Sequence, residues 1–264
     1  MNDLPFANKS LGQHWLTDAA SLEAMCAAAD VRPDDTVVEI GPGTGTLTRL
    51  LVGRAARVVA VEFDNTLADE LPGRVPASNL EVVRQDILHF DFTAVPAGYK
   101  VVANIPYYLT SNLIRVLSES TSPPACAVLL VQKEVAERVA AKPGDMSLLS
   151  VTAQFYWHVS LGQEVPARLF TPPPKVDSQI LVLQRRAGPL FRDVDSAAFF
   201  RLVKAGFAQR RKTLLNALGA GLHLDRSTTM ALLGAANVPP STRAQSLSLT
   251  QWHDLYRANH RLPR

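Results

Sequence analysis

Short apolar runs rich in valine alternate with longer amphipathic stretches through the first two-thirds of this 264-residue chain. The apolar runs predict strands at 36–40, 57–62, 80–84, 100–104 and 125–131. The stretches between them predict helices at 46–53, 65–71, 111–118 and 133–141. Strands and helices that alternate at this spacing are typical of an α/β fold, with a mostly parallel sheet covered on both faces. Consecutive apolar positions in the first and last of these strands predict burial on both sides.

The pattern changes in the last third of the chain. Two further apolar runs, 151–158 and 179–184, predict strands that pair as an antiparallel hairpin at the sheet edge. Beyond residue 186, helical periodicity predicts helices at 195–209, 210–218, 226–234 and 250–259, with Thr250 as the N-cap of the last one. We therefore expect an α/β domain over residues 1–186 and a small, all-helical domain over residues 187–264.

Composition narrows the class of protein. The chain is 47% apolar and 19% charged, which suits a folded core rather than a disordered chain. Its two cysteines, Cys26 and Cys126, form no CxxC pattern, so we expect two buried thiols, with no disulfide framework and no metal site. No run approaches the roughly 18 apolar residues of a spanning helix, and the first ten residues lack the apolar segment of a secretory signal. We therefore expect a cytoplasmic protein with no membrane partner.

Charge is distributed unevenly along the chain. Residues 1–167 carry 12 Lys and Arg against 19 Asp and Glu, a net charge of −7. Residues 168–264 carry 15 against 5, a net charge of +10. A basic surface gains affinity for nucleic acid by displacing condensed counterions. A solvated basic face without a partner has the same composition, so charge alone leaves both interpretations open.

A glycine-rich turn follows the first predicted strand. Gly41, Gly43 and Gly45 follow the G-x-G-x-G spacing rather than the G-x-G-x-x-G of dinucleotide binders, and Glu39 just before them favours a cationic ligand. Glu62 ends the second strand, where a carboxylate can accept hydrogen bonds from both hydroxyls of a ribose. At the end of the third strand, Asp86 can hold the exocyclic amine of an adenine and Ile87 can cover its face. S-adenosylmethionine, with S-adenosylhomocysteine as its product, fits this description.

The fourth predicted strand ends in the segment NIPYY, residues 104–108. In an open α/β sheet this segment lies beside the glycine turn, because ligands bind beyond the carboxyl ends of the strands. Two acceptors aimed at an exocyclic adenine amine would favour its methylation, and Asn104 with the carbonyl of Ile105 or Pro106 can supply them. Pro106 fixes the backbone, and Tyr107 can stack on the base.

Five segments together resemble the rRNA adenine N6,N6-dimethyltransferases: 12–16 (GQHWL), 38–48 (VEIGPGTGTLT), 61–64 (VEFD), 85–88 (QDIL) and 104–108 (NIPYY). Two more segments, 170–178 (FTPPPKVDS) and 207–214 (FAQRRKTL), resemble the KsgA (RsmA) type of that family. That type dimethylates two adjacent adenines in a hairpin loop near the 3′ end of small-subunit (16S) rRNA. The resemblance implies a Rossmann-like class I methyltransferase sheet followed by a small helical domain that binds RNA.

The resemblance also implies roles for residues outside the strand ends. His14 and Leu16 would help to close over the cofactor, although the family usually has Asn-Phe where this chain has His14-Trp15. Phe170 would stack on the face of the target base opposite Tyr107. We expect the protein to act as a monomer on the small ribosomal subunit, with an RNA backbone held by basic residues: Lys175, Arg185, Arg186, Arg210, Arg211, Lys212 and Arg243.

Three other functions remain open at this point. A large-subunit rRNA dimethyltransferase of the macrolide-resistance type shares the cofactor and NIPY segments, but segments 170–178 and 209–213 argue against it. A ribosome-assembly or transcription factor of the same family would need only to bind RNA or protein, which leaves Glu62, Asp86 and Asn104 without a purpose. A nicotinamide-dependent oxidoreductase is contradicted by the glycine spacing.

Overall fold

The computed structural model of the protein describes residues 12–209 and 211–261. Its larger sheet has seven strands, which in chain order are β2 (Thr36–Ile40), β3 (Arg57–Glu62), β4 (Leu80–Arg84), β5 (Lys100–Asn104), β6 (Cys126–Gln132), β7 (Trp157–Val165) and β9 (Ser178–Arg185). Their order across the sheet is β4-β3-β2-β5-β6-β9-β7. Strands β2 to β6 run parallel, whereas β9 lies antiparallel between β6 and β7. The predicted parallel α/β sheet with an antiparallel edge is confirmed.

Five helices accompany the parallel strands: α1 (Ala19–Ala28), α2 (Thr46–Val52), α3 (Asn65–Arg74), α4 (Thr110–Glu119) and α5 (Lys133–Val139). The central strands are buried on both faces, as their uninterrupted apolar runs predict; Val101, Val102 and Val128 have no exposed surface. Cys26 on α1 and Cys126 at the start of β6 are both buried in the same hydrophobic core cluster. Burial raises the pKa of each thiol to about 11, so both remain protonated at neutral pH.

The strand order determines where a ligand can bind. From β2 the chain proceeds outward through β3 and β4, then returns to place β5 on the other side of β2. The connections therefore leave the carboxyl ends of β2 and β5 in opposite directions, which opens a crevice between them. The glycine turn lies at one side of this crevice and residues 104–108 lie at the other.

One predicted strand is wrong. Residues 151–158 do not form a strand; they fall mainly in helix α6 (Leu148–Tyr156), and only Trp157 and His158 belong to β7. Val151, Ala153 and Phe155 are fully buried at alternate positions, but their neighbours Thr152 and Tyr156 are buried as well. A short segment surrounded by apolar contacts has no periodicity that separates a helix from a strand. The antiparallel hairpin is correct, but β7 and β9 form it.

The contacts divide the chain into two units. The first comprises Met1–Glu137 and Trp157–Arg185, and the second Arg138–Tyr156 and Arg186–Arg264. The second unit contains α6 and four further helices: α7 (Ser196–Phe207), α8 (Leu214–Leu222), α9 (Arg226–Ala235) and α10 (Leu249–His260). Arg138–Tyr156 thus groups with the later helices, because Phe155 of α6 stacks on Phe199 of α7 at 5.0 Å between ring centroids.

Two predicted helix starts in the second unit need correction. Helix α8 begins at Leu214 rather than at residue 210, and the N-cap of α10 is Ser248 rather than Thr250. Ser248 forms a capping box with Gln251, which satisfies two backbone N–H groups at once. Within residues 12–209 and 211–261, no helix is long and apolar enough to cross a membrane.

Candidate active site

A cleft in the first unit opens at the carboxyl ends of β2 and β5. It brings together most of the residues that the sequence identifies as a site: His14, Leu16, Gly41, Gly43, Glu62, Asn104, Ile105, Pro106, Tyr107 and Phe170. These residues come from five separate segments between positions 14 and 170. Their convergence confirms that the segments share one cavity, whereas their individual roles stay predictions.

The glycine turn forms the floor of the cleft. Gly41, Gly43 and Gly45 all have positive φ, at 65°, 55° and 80°, where other residues are strained. A Cβ on Gly43 would lie 2.6 Å from the Trp15 ring, whereas a Cβ on Gly41 would meet no atom within 4 Å. Gly45 does not line the cleft; its missing Cβ lets Val75 and Leu71 pack against the start of α2.

Glu62 supports the turn from the end of β3. Its carboxylate is 6% exposed and accepts hydrogen bonds from the backbone N–H of Gly43 at 3.1 Å and of Asp64 at 2.9 Å. Burial raises the pKa of Glu62, while these two hydrogen bonds oppose the rise because they favour the charged form. The Glu62 carboxylate therefore both holds the glycine turn in place and lines the cleft.

Glu39 is a site residue that the sequence predictions used only as a hint about ligand charge. It lines the cleft, is 1% exposed, and its Oε2 has no hydrogen-bond partner among the described residues. Burial, together with repulsion from Glu62, raises its pKa to about 8, although the Thr48 hydroxyl beside it opposes the rise. A buried carboxyl oxygen without a hydrogen-bond partner is costly unless a ligand completes its surroundings.

The structure separates Asp86 and Ile87 from the main cleft. Asp86 lines a shallower depression beside it, together with Phe63 and Arg84, and its side chain caps the 3₁₀ turn Ile87–His89 by accepting from Leu88 N–H at 2.9 Å. Ile87, the first residue of this turn, is itself buried. Phe63, which the sequence predictions missed, is 61% exposed and lines both cavities. Its position directly after Glu62 was the available signal.

The N-terminal segment is held over the cleft by a second, two-stranded sheet. Strand β1 (Trp15–Leu16) pairs antiparallel with β8 (Phe170–Thr171). His14 donates from Nδ1 to the Pro172 carbonyl at 2.7 Å, so the side chain that departs from the family pattern has a defined partner. Leu16 and Phe170 are 1% and 3% exposed, and the pairing joins both to the same wall of the cleft.

The segment after β5 is fixed by hydrogen bonds. Asn104 donates from Nδ2 to the His14 carbonyl at 3.4 Å, which leaves Oδ1 as the acceptor of its amide. The Pro106 carbonyl accepts from Leu109 N–H at 3.0 Å within the 3₁₀ turn Tyr107–Leu109. The Tyr107 hydroxyl bonds the Ser178 hydroxyl at 2.8 Å, and burial raises the pKa of Tyr107, so the phenol stays neutral.

The basic residues predicted to bind RNA fall into two groups. Arg185 lies over the Trp157 ring and donates to the Ser118 carbonyl, and Arg186 donates to the Gln154 carbonyl, so both have structural contacts of their own. The other described candidates are exposed: Lys175, Arg211, Lys212 and Arg243. Arg210 lies outside the described residues. For all seven, contact with RNA stays a prediction.

The chain is similar to known proteins over most of its length. The sequence model of a family described as "Ribosomal RNA adenine dimethylase" matches residues 6–258. A ribosomal RNA small subunit methyltransferase A from Dehalococcoides mccartyi is 42% identical over 250 residues, which cover 93% of this chain and 86% of that relative. A dimethyladenosine transferase from Plasmodium falciparum has a TM-score of 0.76 at 27% identity, covering 92% of this chain and 96% of its own. The 23S rRNA methyltransferase ErmE has a TM-score of 0.73 at 31% identity, covering 92% and 98%.

Proposed function

The chain belongs to the ribosomal RNA adenine dimethylase family, and from this premise we propose that it methylates two adjacent adenines in the 3′-terminal hairpin loop of small-subunit (16S) rRNA. The methyl groups come from S-adenosylmethionine and each product base is N6,N6-dimethyladenosine. The protein has the class I methyltransferase fold and is an rRNA adenine dimethyltransferase. The single observation that carries the proposal is the meeting of the glycine turn, Glu62 and Asn104–Tyr107 around one cleft.

The residues present fit S-adenosylmethionine. The buried Oε2 of Glu39, which has no hydrogen-bond partner among the described residues, belongs to the lining of the cleft, where a cationic ligand would pair with it. Gly41 leaves room for a ligand against the backbone, because a Cβ there would meet no atom within 4 Å. Glu62 would accept from the ribose hydroxyls with the lone pairs that its two backbone hydrogen bonds leave free. Asp86 and Ile87 would hold the adenine, with Phe63 at its edge, while His14 and Leu16 close the other side. When bound, S-adenosylmethionine supplies the methyl group as an electrophile.

The chain's own residues would position the amine that accepts this methyl group. The Oδ1 of Asn104 accepts one N6–H, and a backbone carbonyl accepts the other. The Pro106 carbonyl is already engaged by Leu109, which favours the Ile105 carbonyl as the second acceptor. These acceptors favour a tetrahedral nitrogen, whose lone pair is then available for attack. No general base is required first, because methylation makes the departing proton acidic.

Tyr107 and Phe170 would hold the target base between them. Each base–aromatic stack contributes roughly 1–3 kcal/mol, which offsets the few kcal/mol needed to flip a base out of its stack. An unpaired loop adenine costs least to flip. The hydrogen bond from Tyr107 to Ser178 keeps this ring in place before the RNA arrives.

The remaining parts of the proposal concern the partner. The exposed cations Lys175, Arg211, Lys212 and Arg243 would bind phosphates of the small ribosomal subunit. From the sequence, Arg210 would join them. Arg185 and Arg186 would contribute to RNA binding through the N–H donors that their contacts within the protein leave free. We infer a monomer that acts in the cytoplasm during assembly of the subunit.

The test is methyl transfer from radiolabelled S-adenosylmethionine to purified small and large ribosomal subunits that lack the modification. Labelled RNA is digested to nucleosides and chromatographed, with Asn104→Ala as the matched control for contaminating activity. We expect label in N6,N6-dimethyladenosine from the small subunit alone. Label in the large subunit would favour the activity named for ErmE, and no label in either would leave a protein that works by binding.

A further inference from the structure

Tyr108 is the most exposed large aromatic side chain among the described residues, and the proposed mechanism does not use it. It is 65% exposed, although it directly follows Tyr107 and lines the same cleft. Within the described residues its side chain makes no hydrogen bond and no ring contact, whereas the neighbouring Tyr107 is bonded to Ser178. Single exposed aromatic side chains are common on protein surfaces, but this one lines the cleft, where its ring can stack on a nucleic-acid base.

The backbone around Tyr108 keeps the ring at the mouth of the cleft. The 3₁₀ turn Tyr107–Leu109 is closed by the hydrogen bond from Leu109 N–H to the Pro106 carbonyl. Gly12 lies beside the ring: a Cβ there would be 3.8 Å from two Tyr108 ring carbons and from the Pro106 Cβ. Gly12 has a φ of 63°, so a residue with a side chain would be strained at this position. The Cδ1 and Cε1 side of the ring thus lies beside Gly12, while most of the side chain stays in solvent.

From this geometry, we propose that Tyr108 is a stacking platform for the unpaired base next to the target adenine. The target itself must pass further in to reach Asn104, past the half-buried Tyr107. A nucleotide joined to it by one phosphodiester remains at the mouth, where Tyr108 presents a free ring. The inference rests on the proposed function, in which the neighbour of each target is itself an adenine, and purines offer a large face for stacking.

Four variants separate stacking from other contributions. Tyr108→Phe keeps the aromatic face and removes the hydroxyl. Tyr108→Leu keeps an apolar side chain without a ring, and Tyr108→Ala removes both. Leu161→Ala is the matched control, because Leu161 is an exposed apolar residue of the same unit that does not line the cleft, at 41% exposure. Thermal melting is expected to be unchanged for all four, since exposed side chains contribute little to the core.

The measurement is the dissociation constant for undermethylated small ribosomal subunits at several salt concentrations. We expect affinity to fall roughly 10-fold for the Ala and Leu variants, as for loss of one base–aromatic stack, and to stay near normal for the Phe variant and the control. The slope of log K against log salt should be the same for every variant, because a stack displaces no counterions. Affinity for S-adenosylmethionine should also be unchanged.

Each other result overturns the inference. Normal affinity for the subunit in Tyr108→Ala would show that Tyr108 does not stack on the RNA. An equal loss of affinity in the Phe and Ala variants would show that the hydroxyl makes the contact instead. Normal affinity in Tyr108→Leu indicates general apolar contact, and loss of S-adenosylmethionine affinity indicates a lid over the cofactor. A wild-type protein that fails to methylate the small subunit defeats the proposed function, whereas methylation by the wild type with normal binding by Tyr108→Ala defeats only this inference.

Discussion

Replacing the buried carboxyl of Glu39 by an amide is expected to stabilise the free protein while weakening its hold on the cofactor. Glu39 is 1% exposed, and burial raises its pKa from 4.5 to about 8. The folded protein therefore binds this proton more tightly than the unfolded chain. Stability falls as the pH rises from 4.5 to 8, and is level on either side of that interval.

The size of the effect follows from the two pKa values. Each pKa unit corresponds to about 1.4 kcal/mol, so between pH 5 and pH 7.5 the ionisation of Glu39 removes about 3 kcal/mol of stability. The amide in Glu39→Gln cannot ionise, so this variant loses none of that stability. The new amide oxygen can accept from the Thr48 hydroxyl beside it, as the carboxyl group does.

Urea unfolding at half-unit steps from pH 5 to pH 8.5 measures this directly in the cofactor-free protein. The free-energy difference between Glu39→Gln and wild type should grow by about 3 kcal/mol from pH 5 to pH 7.5. Glu137→Gln, which removes an exposed carboxylate, is the control and should follow the wild type. Parallel curves for wild type and Glu39→Gln would refute the reasoning, since Glu39 would then be ionised or solvated in the folded protein.

The same substitution is expected to lower the affinity for S-adenosylmethionine, whereas it raises the stability of the free protein. A carboxylate that pairs with a cation is worth about 1.5–3 kcal/mol, so at pH 8.5, where the free carboxyl group is already largely ionised, Glu39→Gln should bind S-adenosylmethionine at least 10-fold more weakly. Calorimetry in two buffers of different ionisation enthalpy should show a proton released on binding by the wild type at pH 7 and none by the variant. Unchanged affinity with no proton release would leave Glu39 as a structural residue.

Three further predictions concern the turn, the acceptors and the RNA. Asn104→Ala should slow single-turnover methyl transfer by on the order of 10²–10³ with cofactor affinity within about threefold, and near-normal turnover would remove its amide from the mechanism. Gly43→Ala should lower the melting temperature and the cofactor affinity more than Gly41→Ala does. Both glycines have a positive φ, but only at position 43 does the new Cβ lie 2.6 Å from the Trp15 indole. Equal effects of the two substitutions would mean that backbone strain alone matters. Replacing Arg211 and Lys212 together with Ala should flatten the salt dependence of subunit binding by a slope of roughly 1–2, and an unchanged slope would place the RNA elsewhere.

The strands of the parallel sheet were predictable because each is short, apolar and bounded by turn residues. The sequence predicts β2, β3, β4 and β5 to the residue, and β6 begins one position later than predicted. Helix α6 was not predictable in the same way. Its residues are buried on nearly every side, and a helix surrounded by neighbours loses the periodicity by which it would be recognised. Its packing partner Phe199 is more than 40 positions away.

The candidate site also combines features that the sequence predicts with features that only the tertiary structure shows. Motif spacing and residue chemistry alone identify the glycine turn, Glu62 and Asn104–Tyr107, because strand ends and tight turns are local features. Tertiary structure alone shows that the Oε2 of Glu39 is buried with no hydrogen-bond partner among the described residues, that Gly45 packs against Val75 instead of lining the cleft, and that Phe63 and Tyr108 are exposed. Burial and hydrogen-bond partners depend on residues distant in the chain. The sequence by itself therefore determines which chemical groups stand at the strand ends and turns, and the fold decides which of them line the cleft and remain available to a ligand.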